Sequence, residues 1–201
     1  TLQNHGDKVV IGNSQPRYLY GLNASIDWNN FSFSFFIQGI GKRDWFPTPD
    51  ATYFWGHYAR PYTFLPRDTY EKQWSPENPN SYFPRLVSGA ANEQGGRELN
   101  EPSDRYLQNA AYVRLKNITL GYDIPQKLYS KLGIDRASLY ISGQNIFVWS
   151  PMFKITRAID PEGILGASET NAYIPEEVVS NRTSDYPILK TFTIGIKLNF
   201  N

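Results

Sequence analysis

The sequence has no cysteine, two histidines and no long apolar run, and each of these shortages excludes a class of protein. Without cysteine the chain can hold no disulfide framework, zinc–thiolate centre or cysteine nucleophile. The two histidines, His5 and His57, stand about fifty residues apart, which disfavours a histidine-based triad or metal cluster. No apolar stretch approaches the ~20 residues that a membrane-spanning helix requires. If the chain meets a membrane, it does so through β-strands.

A leader peptide and a strong net charge are also lacking. Residues 1–10 are polar and contain no apolar segment of the kind found in signal peptides, which indicates that the amino terminus was cut or is not included. The formal net charge is only +1, so the sequence does not predict a nucleic-acid partner.

Aromatic residues, by contrast, are abundant. They make up 15% of the chain, with 14 Tyr, 12 Phe and 5 Trp, whereas charged residues account for 19%, below the roughly 25% of a typical soluble domain. This combination suits a membrane β-barrel with an apolar belt and aromatic girdles. It would equally suit a secreted sugar-binding β-sandwich, so composition leaves both open.

Alternating apolar and small polar residues predict five β-strands. The predicted strands are residues 17–28, 31–41, 112–122, 137–148 and 191–200. Asn29 and Asn30 supply a tight turn between the first two, since asparagine tolerates the left-handed conformation. The alternation is cleanest in 191–200 and poor in 112–122. There a bulge would reconcile the pattern, as would a face that does not meet lipid.

The connections between the strands alternate in length. A two-residue turn is followed by residues 42–111, then 123–136 with one or two helical turns at 126–132, then 149–187. Antiparallel neighbours place alternate connections at the same end, so all short turns lie at one end and all long loops at the other. Outer-membrane barrels have this asymmetry, with short periplasmic turns and long extracellular loops. Residues 1–16, 42–111 and 149–187 are therefore predicted to be extracellular, and the carboxy terminus periplasmic.

Five strands are too few for a closed barrel, which needs about eight or more. An open sheet edge in lipid would leave unpaired backbone groups that cost several kcal/mol each. We therefore expect the first and last strands to pair with strands that this sequence does not contain.

Five sequence blocks occur in an order typical of one family. They are VIGNSQPRYLYGL (10–22) running on to FIQG (36–39), YEKQWSPENPN (70–80) closed by FPRL (83–86), YVRLKNITLGY (112–122) with IP (124–125), LYISGQNIF (139–147) with DPE (160–162), and YP (186–187) with TFTIGIKLNF (191–200). Over nearly its whole length the chain thereby resembles the carboxy-terminal part of SusC/RagA-type TonB-dependent transporters of Bacteroidota.

The resemblance implies an all-β fold, namely the last five strands of a 22-stranded antiparallel transmembrane barrel in the bacterial outer membrane. A plug and a TonB box are absent from this chain and would belong to the remainder of the protein. A SusD-like lipoprotein would cap the barrel as a lid, the inner-membrane TonB–ExbB–ExbD system would supply energy, and the imported ligand would be an oligosaccharide or, in some members, a peptide. The family's terminal aromatic strand is its assembly signal, here with Phe192 and Phe200, although Asn201 follows.

The long loop at 42–111 is rich in aromatic side chains. Within about thirty residues stand Trp45, Phe46, Tyr53, Phe54, Trp55, Tyr58, Tyr62, Phe64, Tyr70 and Trp74. Aromatic rings stack on sugars and anchor protein interfaces, so these side chains could pack the loop onto itself, contact the lid or touch ligand. The candidates for lid or ligand contact are Trp45, Tyr53, Trp55, Tyr58, Tyr62 and Trp74. Further aromatics suit interfacial girdles: Trp28, Phe31 and Tyr122 near the short turns, and Phe147 and Trp149 near a long loop.

No catalytic group, metal site or cofactor site is predicted, and we do not expect an enzyme. Asp160 and Glu162 flank Pro161 and could act as an acid–base pair or hold calcium, but a turn with solvated carboxylates is the favoured interpretation. Two other functions remain as alternatives. They are a secreted carbohydrate-binding β-sandwich, which would bury its apolar strand faces against a second sheet, and a passive porin.

Overall fold

A computed structural model describes residues 9–48, 51–63, 68–91, 99, 102–129, 131, 133–164 and 188–200. The chain divides into two compact units. The sheet unit consists of Pro16–Lys42, Ala111–Ser150 and Ile188–Asn201. The loop unit consists of Thr1–Gln15, Arg43–Ala110 and Pro151–Pro187.

The described elements are mostly β-strands. The strands are β1 Leu19–Trp28, β2 Phe31–Ile40, β3 Asp44–Trp45, β4 Gln108–Asn109, β5 Tyr112–Asp123, β6 Ile134–Trp149 and β7 Thr191–Phe200. Two four-residue helices, α1 Thr52–Trp55 and α2 Thr69–Lys72, and three 3₁₀ turns at Gly56–Tyr58, Gln126–Leu128 and Pro151–Lys154 complete them. Within the described ranges, no helix is both long and apolar enough to cross a membrane.

The sheet unit is a five-stranded antiparallel sheet in the order β1-β2-β5-β6-β7. This confirms the predicted all-β antiparallel class. The bounds differ at a few ends. β1 begins at Leu19 rather than at residue 17, and β6 runs from Ile134 to Trp149, so it takes in residues that the sequence pattern assigns to the neighbouring connections. These end residues pair in the ladder, Ile134 with Phe200 and Trp149 with Val113.

The strand register gives the sheet one apolar face. Directly opposed residues of antiparallel neighbours point to the same side, so rows can be followed across the strands. The apolar rows are Trp28, Phe31, Tyr122, Leu139 and Ile196; Ile26, Phe33, Leu120, Ile141 and Ile194; Ala24, Phe35, Ile118, Gly143 and Phe192; and Leu22, Ile37, Leu115 and Phe147.

The opposite face is polar. One row across all five strands carries only hydroxyl side chains, and a neighbouring row is rich in amides. These rows are Ser25, Ser34, Thr119, Ser142 and Thr193, and Asn23, Phe36, Asn117, Gln144 and Thr191. The alternation predicted from the sequence is therefore realised as two chemically distinct faces.

A bulge explains the poor alternation of β5. Phe36 pairs with Asn117 and Ile37 with Leu115, which leaves Lys116 as one extra residue in β5. The extra residue reverses the parity, so Leu115 and Ile118 share the apolar face although they lie three apart in sequence. The facing part of β6 also has an irregular backbone, because Asn145 adopts a φ of 54°. Of the two explanations open for this strand, the bulge is the one observed.

The hairpin between β1 and β2 closes at Asn29–Asn30, as predicted. Trp28 pairs with Phe31, which leaves a two-residue loop, and Asn29 has a φ of 56°. Such positive φ values fit two-residue hairpin turns, and asparagine adopts them at lower cost than most residues.

Candidate functional site

The aromatic residues of the long loop form the core of the loop unit. Phe54 and Trp55, at the end of α1, meet edge to face with ring centroids 4.8 Å apart. Trp55 also meets Tyr106 edge to face at 5.2 Å, and Tyr58 stacks on Phe83 at 5.7 Å. Edge-to-face and offset-stacked arrangements are the favourable geometries of aromatic pairs. The loop is thus a folded body with its own core.

The polar atoms of these rings are satisfied inside the core. The indole nitrogen of Trp55 donates to the carbonyl oxygens of Pro47 and Thr48, at 3.2 and 3.1 Å. The Tyr58 hydroxyl donates to the carbonyl of Pro84 at 2.6 Å. Burial raises the pKa of Tyr58 to about 12, because an apolar environment disfavours the phenolate. Tyr58 is therefore a neutral hydrogen-bond donor that fixes the loop's backbone.

The six candidate contact residues fall into two groups. Trp45, Trp55 and Tyr58 are buried, with 6%, 2% and 2% of their surface exposed. These three rings pack in the buried core of the loop unit. Tyr53, Tyr62 and Trp74 are 36%, 79% and 39% exposed and keep accessible aromatic surface.

Tyr70 joins the accessible group, with 75% of its surface exposed. It belongs to the aromatic cluster read from the sequence but not to the six chosen candidates. Nothing in its sequence position distinguishes it from the buried rings, because the loop lacks a period from which inward and outward positions could be told apart. Phe64 lies outside the described residues.

Four chain segments of the loop unit line a cavity of about 250 Å³. The first runs through α1 and the following turn, the second is α2 with Asp68 before it, the third lies within residues 153–158, and the fourth contributes Phe83 and Leu86. The third segment follows β6 and its contribution was not anticipated, because no sequence signal shows that residues from the two long connections pack together. The cavity is mostly aromatic and aliphatic, with charged groups from Asp68, Lys72 and Arg157.

Lys72 ties two of these segments together. Its ammonium group pairs with the carboxylate of Asp68 one helical turn earlier and donates to the carbonyl of Ile155 at 2.6 Å. The hydrogen bond from Lys72 holds the pKa of Asp68 below its ordinary value, against a smaller opposing effect of burial. Arg157 lies over the ring of Phe153, 5.7 Å from its centroid, on the third segment.

The remaining polar residues considered from the sequence are Asp160, Glu162 and the two histidines. The amide of Glu162 donates to the carboxylate of Asp160 at 3.0 Å, which closes the turn at Pro161. Within the described residues no group of three or more His, Asp or Glu side chains could hold a metal ion. The imidazole Nε2 of His57 lies 3.0 Å from the carbonyl oxygen of Thr63. His5 lies outside the described residues.

The sheet unit places aromatics at both ends of its apolar face. Trp28 and Phe31 stand at the short-turn end, 75% and 45% exposed, and the Phe31 ring lies 4.8 Å from that of Tyr122. Phe147 and Trp149 stand at the other end, 54% and 53% exposed. These are the positions predicted for two interfacial girdles. On β7, Phe192 and Phe200 are 72% and 69% exposed.

No protein-family model matches the chain, whereas individual proteins do. It is 27% identical over 96% of its length to TonB-dependent receptor P26 of Formosa agariphila, of which it spans 18%. TonB-dependent receptor P39 of the same organism is 30% identical over 72% of the chain and 13% of the relative. TonB-dependent receptor SusC of Bacteroides thetaiotaomicron is 24% identical over 97% of the chain and 16% of the relative.

Solved structures of the RagAB peptide importer are also similar. The open-open state matches 68% of this chain and 14% of that chain, with a TM-score of 0.47 and 20% identity. The chain thus spans less than a fifth of the length of these relatives. The similarity to curated TonB-dependent receptors, SusC among them, runs through almost the whole chain, and it confirms the resemblance to SusC-type TonB-dependent receptors that the sequence blocks indicate.

Proposed function

We propose that this chain forms a section of the wall and of the external loops of a TonB-dependent outer-membrane importer. The observation that carries the proposal is the chemistry of the sheet's two faces. One face presents rows of large apolar side chains across all five strands. Many of them are exposed, with Ile194 78%, Phe192 72% and Ile26 62% accessible, and those of β2 such as Phe33 and Phe35 are partly exposed. Soluble proteins rarely expose so continuous an apolar surface.

Lipid is the environment that this apolar face fits. Strands of a membrane barrel present alternating apolar and polar side chains to lipid and lumen, with aromatic girdles at the two interfaces. The strands of the sheet are 10 to 16 residues long, sufficient for the ~9–11 residues that cross the bilayer at a tilt. Within the described residues, β1 and β7 each pair on one side only. Further strands of the same barrel would satisfy both edges, in keeping with the proposed 22-stranded barrel.

The polar face suits a wet lumen that holds a plug. Its hydroxyl row crosses the sheet from Ser25 to Thr193, and the side chains are short. Short hydroxyls can bond to water or to a neighbouring protein surface and leave space inside the wall. The plug and the TonB box would belong to the part of the protein outside this chain, and TonB would act through them. The import step itself requires no catalytic residue or cofactor from this segment.

The loop unit would face the extracellular side, with segments 1–16, 42–111 and 149–187 as parts of external loops. Accessible aromatic rings are the side chains best suited to anchor a protein or carbohydrate partner. Tyr53, Tyr62 and Trp74 would accordingly contact a SusD-like lipoprotein lid or the imported oligosaccharide or peptide, while Trp45, Trp55 and Tyr58 would hold the loops in shape. In the sheet unit, Phe192 and Phe200 on the terminal strand β7 would act as the assembly signal.

Uptake by the full-length protein tests this function. Cells expressing the whole transporter with its lid are expected to accumulate labelled ligand from a mixed oligosaccharide and peptide pool only when TonB is active. Accumulation that continues without TonB would identify a passive porin instead. A protein that is soluble, monomeric and cooperatively folded without detergent would identify a β-sandwich whose apolar face is buried.

A further inference from the structure

The loop-unit cavity is lined by side chains of the buried core and by three charged side chains. Its apolar walls include Trp55, Tyr58, Phe83, Leu86, Phe153 and Ile155. Trp55, Tyr58 and Phe83 belong to the buried aromatic core, and Phe153 and Ile155 pack against that core. Because the walls are fixed by packing that the loops need anyway, the cavity exists before any ligand enters.

Lys72, in the lining of this cavity, has one hydrogen-bond donor to spare. An ammonium group has three donors. Two of them are directed to the carboxylate of Asp68 and the carbonyl of Ile155. The remaining donor has no partner among the described residues, so Lys72 can bind an acceptor without giving up the contacts that hold the loops.

Arg157 adds a second cationic donor to the same cavity. Its guanidinium lies over the Phe153 ring, and among the described residues no carboxylate pairs with it. The charged side chains that line the cavity are Asp68, Lys72 and Arg157, a surplus of one positive charge. Since guanidinium groups bind carboxylates by paired hydrogen bonds, these charged side chains favour an anion.

We propose that this cavity binds a carboxylate that carries an apolar, preferably aromatic, body. The body would occupy the space between the aromatic walls, and the carboxylate would meet Arg157 and the free donor of Lys72. A cationic group would be repelled by the two cations. A neutral sugar would leave most of its hydroxyls unpaired against apolar walls, which is costly. The same chemistry is offered by a free aryl carboxylate and by the carboxy-terminal residue of a peptide.

This ligand site would belong to the importer proposed above. Its biological use depends on that proposed function, whereas binding itself does not. Binding is measured by calorimetry on the full-length transporter in detergent, without lid or TonB. The probe is N-acetyl-L-phenylalanine, with its amide as the matched neutral probe. The acid is expected to bind saturably, and the amide about tenfold more weakly or worse, because a hydrogen bond to a charged group is lost.

Substitutions in the cavity lining test whether the acid binds in this cavity. Arg157→Gln is expected to weaken the acid about tenfold, whereas Lys154→Gln, an exposed cation of the same segment outside the cavity lining, leaves its Kd unchanged. Ala158→Phe fills the cavity and abolishes binding. Equal Kd values for acid and amide, equal effects of the two glutamine variants, or no saturable binding would each overturn the proposal. Should Ala158→Phe disturb the loops, the pair of glutamine variants still decides.

Two peptides ending in phenylalanine, one with a free and one with an amidated terminus, identify the source of the ligand. Tighter binding of the free terminus than of the small acid indicates a peptide, and binding of the small acid alone indicates a free carboxylate. TonB-dependent uptake is measured separately in cells. Absent binding with intact uptake would therefore refute the cavity site alone, and binding without TonB-dependent uptake would refute the importer alone.

Discussion

Tyr140 lies directly across from Gly195 on the neighbouring strand, so close that a Cβ at position 195 would stand 2.3 Å from the ring's Cζ atom. The tyrosine thus covers the glycine on the polar face of the sheet. A second pair has the same form: Tyr20 lies opposite Gly39, where a Cβ would stand 2.4 Å from its hydroxyl oxygen. That hydroxyl donates to the carbonyl of Tyr112 at 3.0 Å. In both places the glycine provides the space that its cross-strand tyrosine occupies.

Replacing Gly195 by alanine is therefore expected to destabilise the sheet. The added methyl group forces the Tyr140 ring out of its position, and overpacking of this kind costs about 1–3 kcal/mol. Urea unfolding of the full-length barrel in liposomes measures the loss. Tyr140→Ala combined with Gly195→Ala should recover part of it, because the ring is gone. Gly163→Ala serves as the control, because its Cβ would stand 3.6 Å from the Asp160 carbonyl oxygen, an ordinary van der Waals distance. Equal losses in both single variants would contradict the close packing.

Substitutions of Asn145 test whether the backbone of β6 is left-handed at this position. Its φ of 54° lies in the left-handed region, which costs most side chains about 1–2 kcal/mol and β-branched ones the most. Asn145→Gly should leave the unfolding free energy nearly unchanged, and Asn145→Val should lower it by at least about that amount. Urea unfolding again provides the measurement. If valine and glycine behave alike, the backbone at this position is not held as described.

Trp55 is expected to be essential for the folded loops but not for the sheet. It is 2% exposed, meets three other rings edge to face, and its indole nitrogen donates to backbone carbonyl oxygens. Removing a buried tryptophan costs about 3–5 kcal/mol. Trp55→Ala should make the loops sensitive to dilute protease while the barrel strands stay protected. Tyr62→Ala, at a ring that is 79% exposed, should not. Equal cleavage of the two variants would show that the core does not depend on Trp55.

The strands were predictable because each carries its own pattern. Alternation places Phe192 and Ile194 on one face whatever the neighbours do, and β7 was found with the predicted bounds, Thr191–Phe200. In β5 the pattern alone left two explanations, since a bulge at Lys116 depends on the register with β2. That register is a tertiary property, and local sequence does not set it.

The sequence shows that the loops are rich in aromatic residues, but it does not show which of these side chains are buried. Aromatic density at residues 45–74 indicated a functional or self-packed loop, but Trp55 and Tyr62 look alike in sequence and differ from 2% to 79% in exposure. Without a period of two or 3.6, nothing separates inward from outward positions. The cavity was beyond prediction for a further reason. Lys72 meets the carbonyl of Ile155, 83 residues later, through contacts that form only in the folded loop unit.

Low pH should loosen the loop unit through Asp68. Its pKa is lowered from 3.8 by the hydrogen bond from Lys72, so the unfolded chain binds the proton more tightly than the folded one. The resulting stabilisation is fully present above the unfolded pKa and is lost as the pH falls from about 4 through the lower folded pKa. Protease protection of the loops should decline in that window, and Asp68→Asn should flatten the decline. An unchanged profile in Asp68→Asn would assign the acid sensitivity to other carboxylates.

A single charge on the apolar face distinguishes lipid from a second sheet or water. Ile194 and Thr193 are adjacent in β7 and point to opposite faces, the first in an apolar row and the second in the hydroxyl row. A lysine facing lipid near the middle of the bilayer costs about 2–4 kcal/mol, whereas lumen positions tolerate charge. Ile194→Lys should therefore lower the yield of folded full-length barrel in the outer membrane, and Thr193→Lys should not. Heat-modifiable mobility on gels reports the folded fraction. If Thr193→Lys is the more damaging of the two, the faces are reversed and the proposed wall is wrong. If neither variant affects assembly, the Ile194 side chain does not meet lipid.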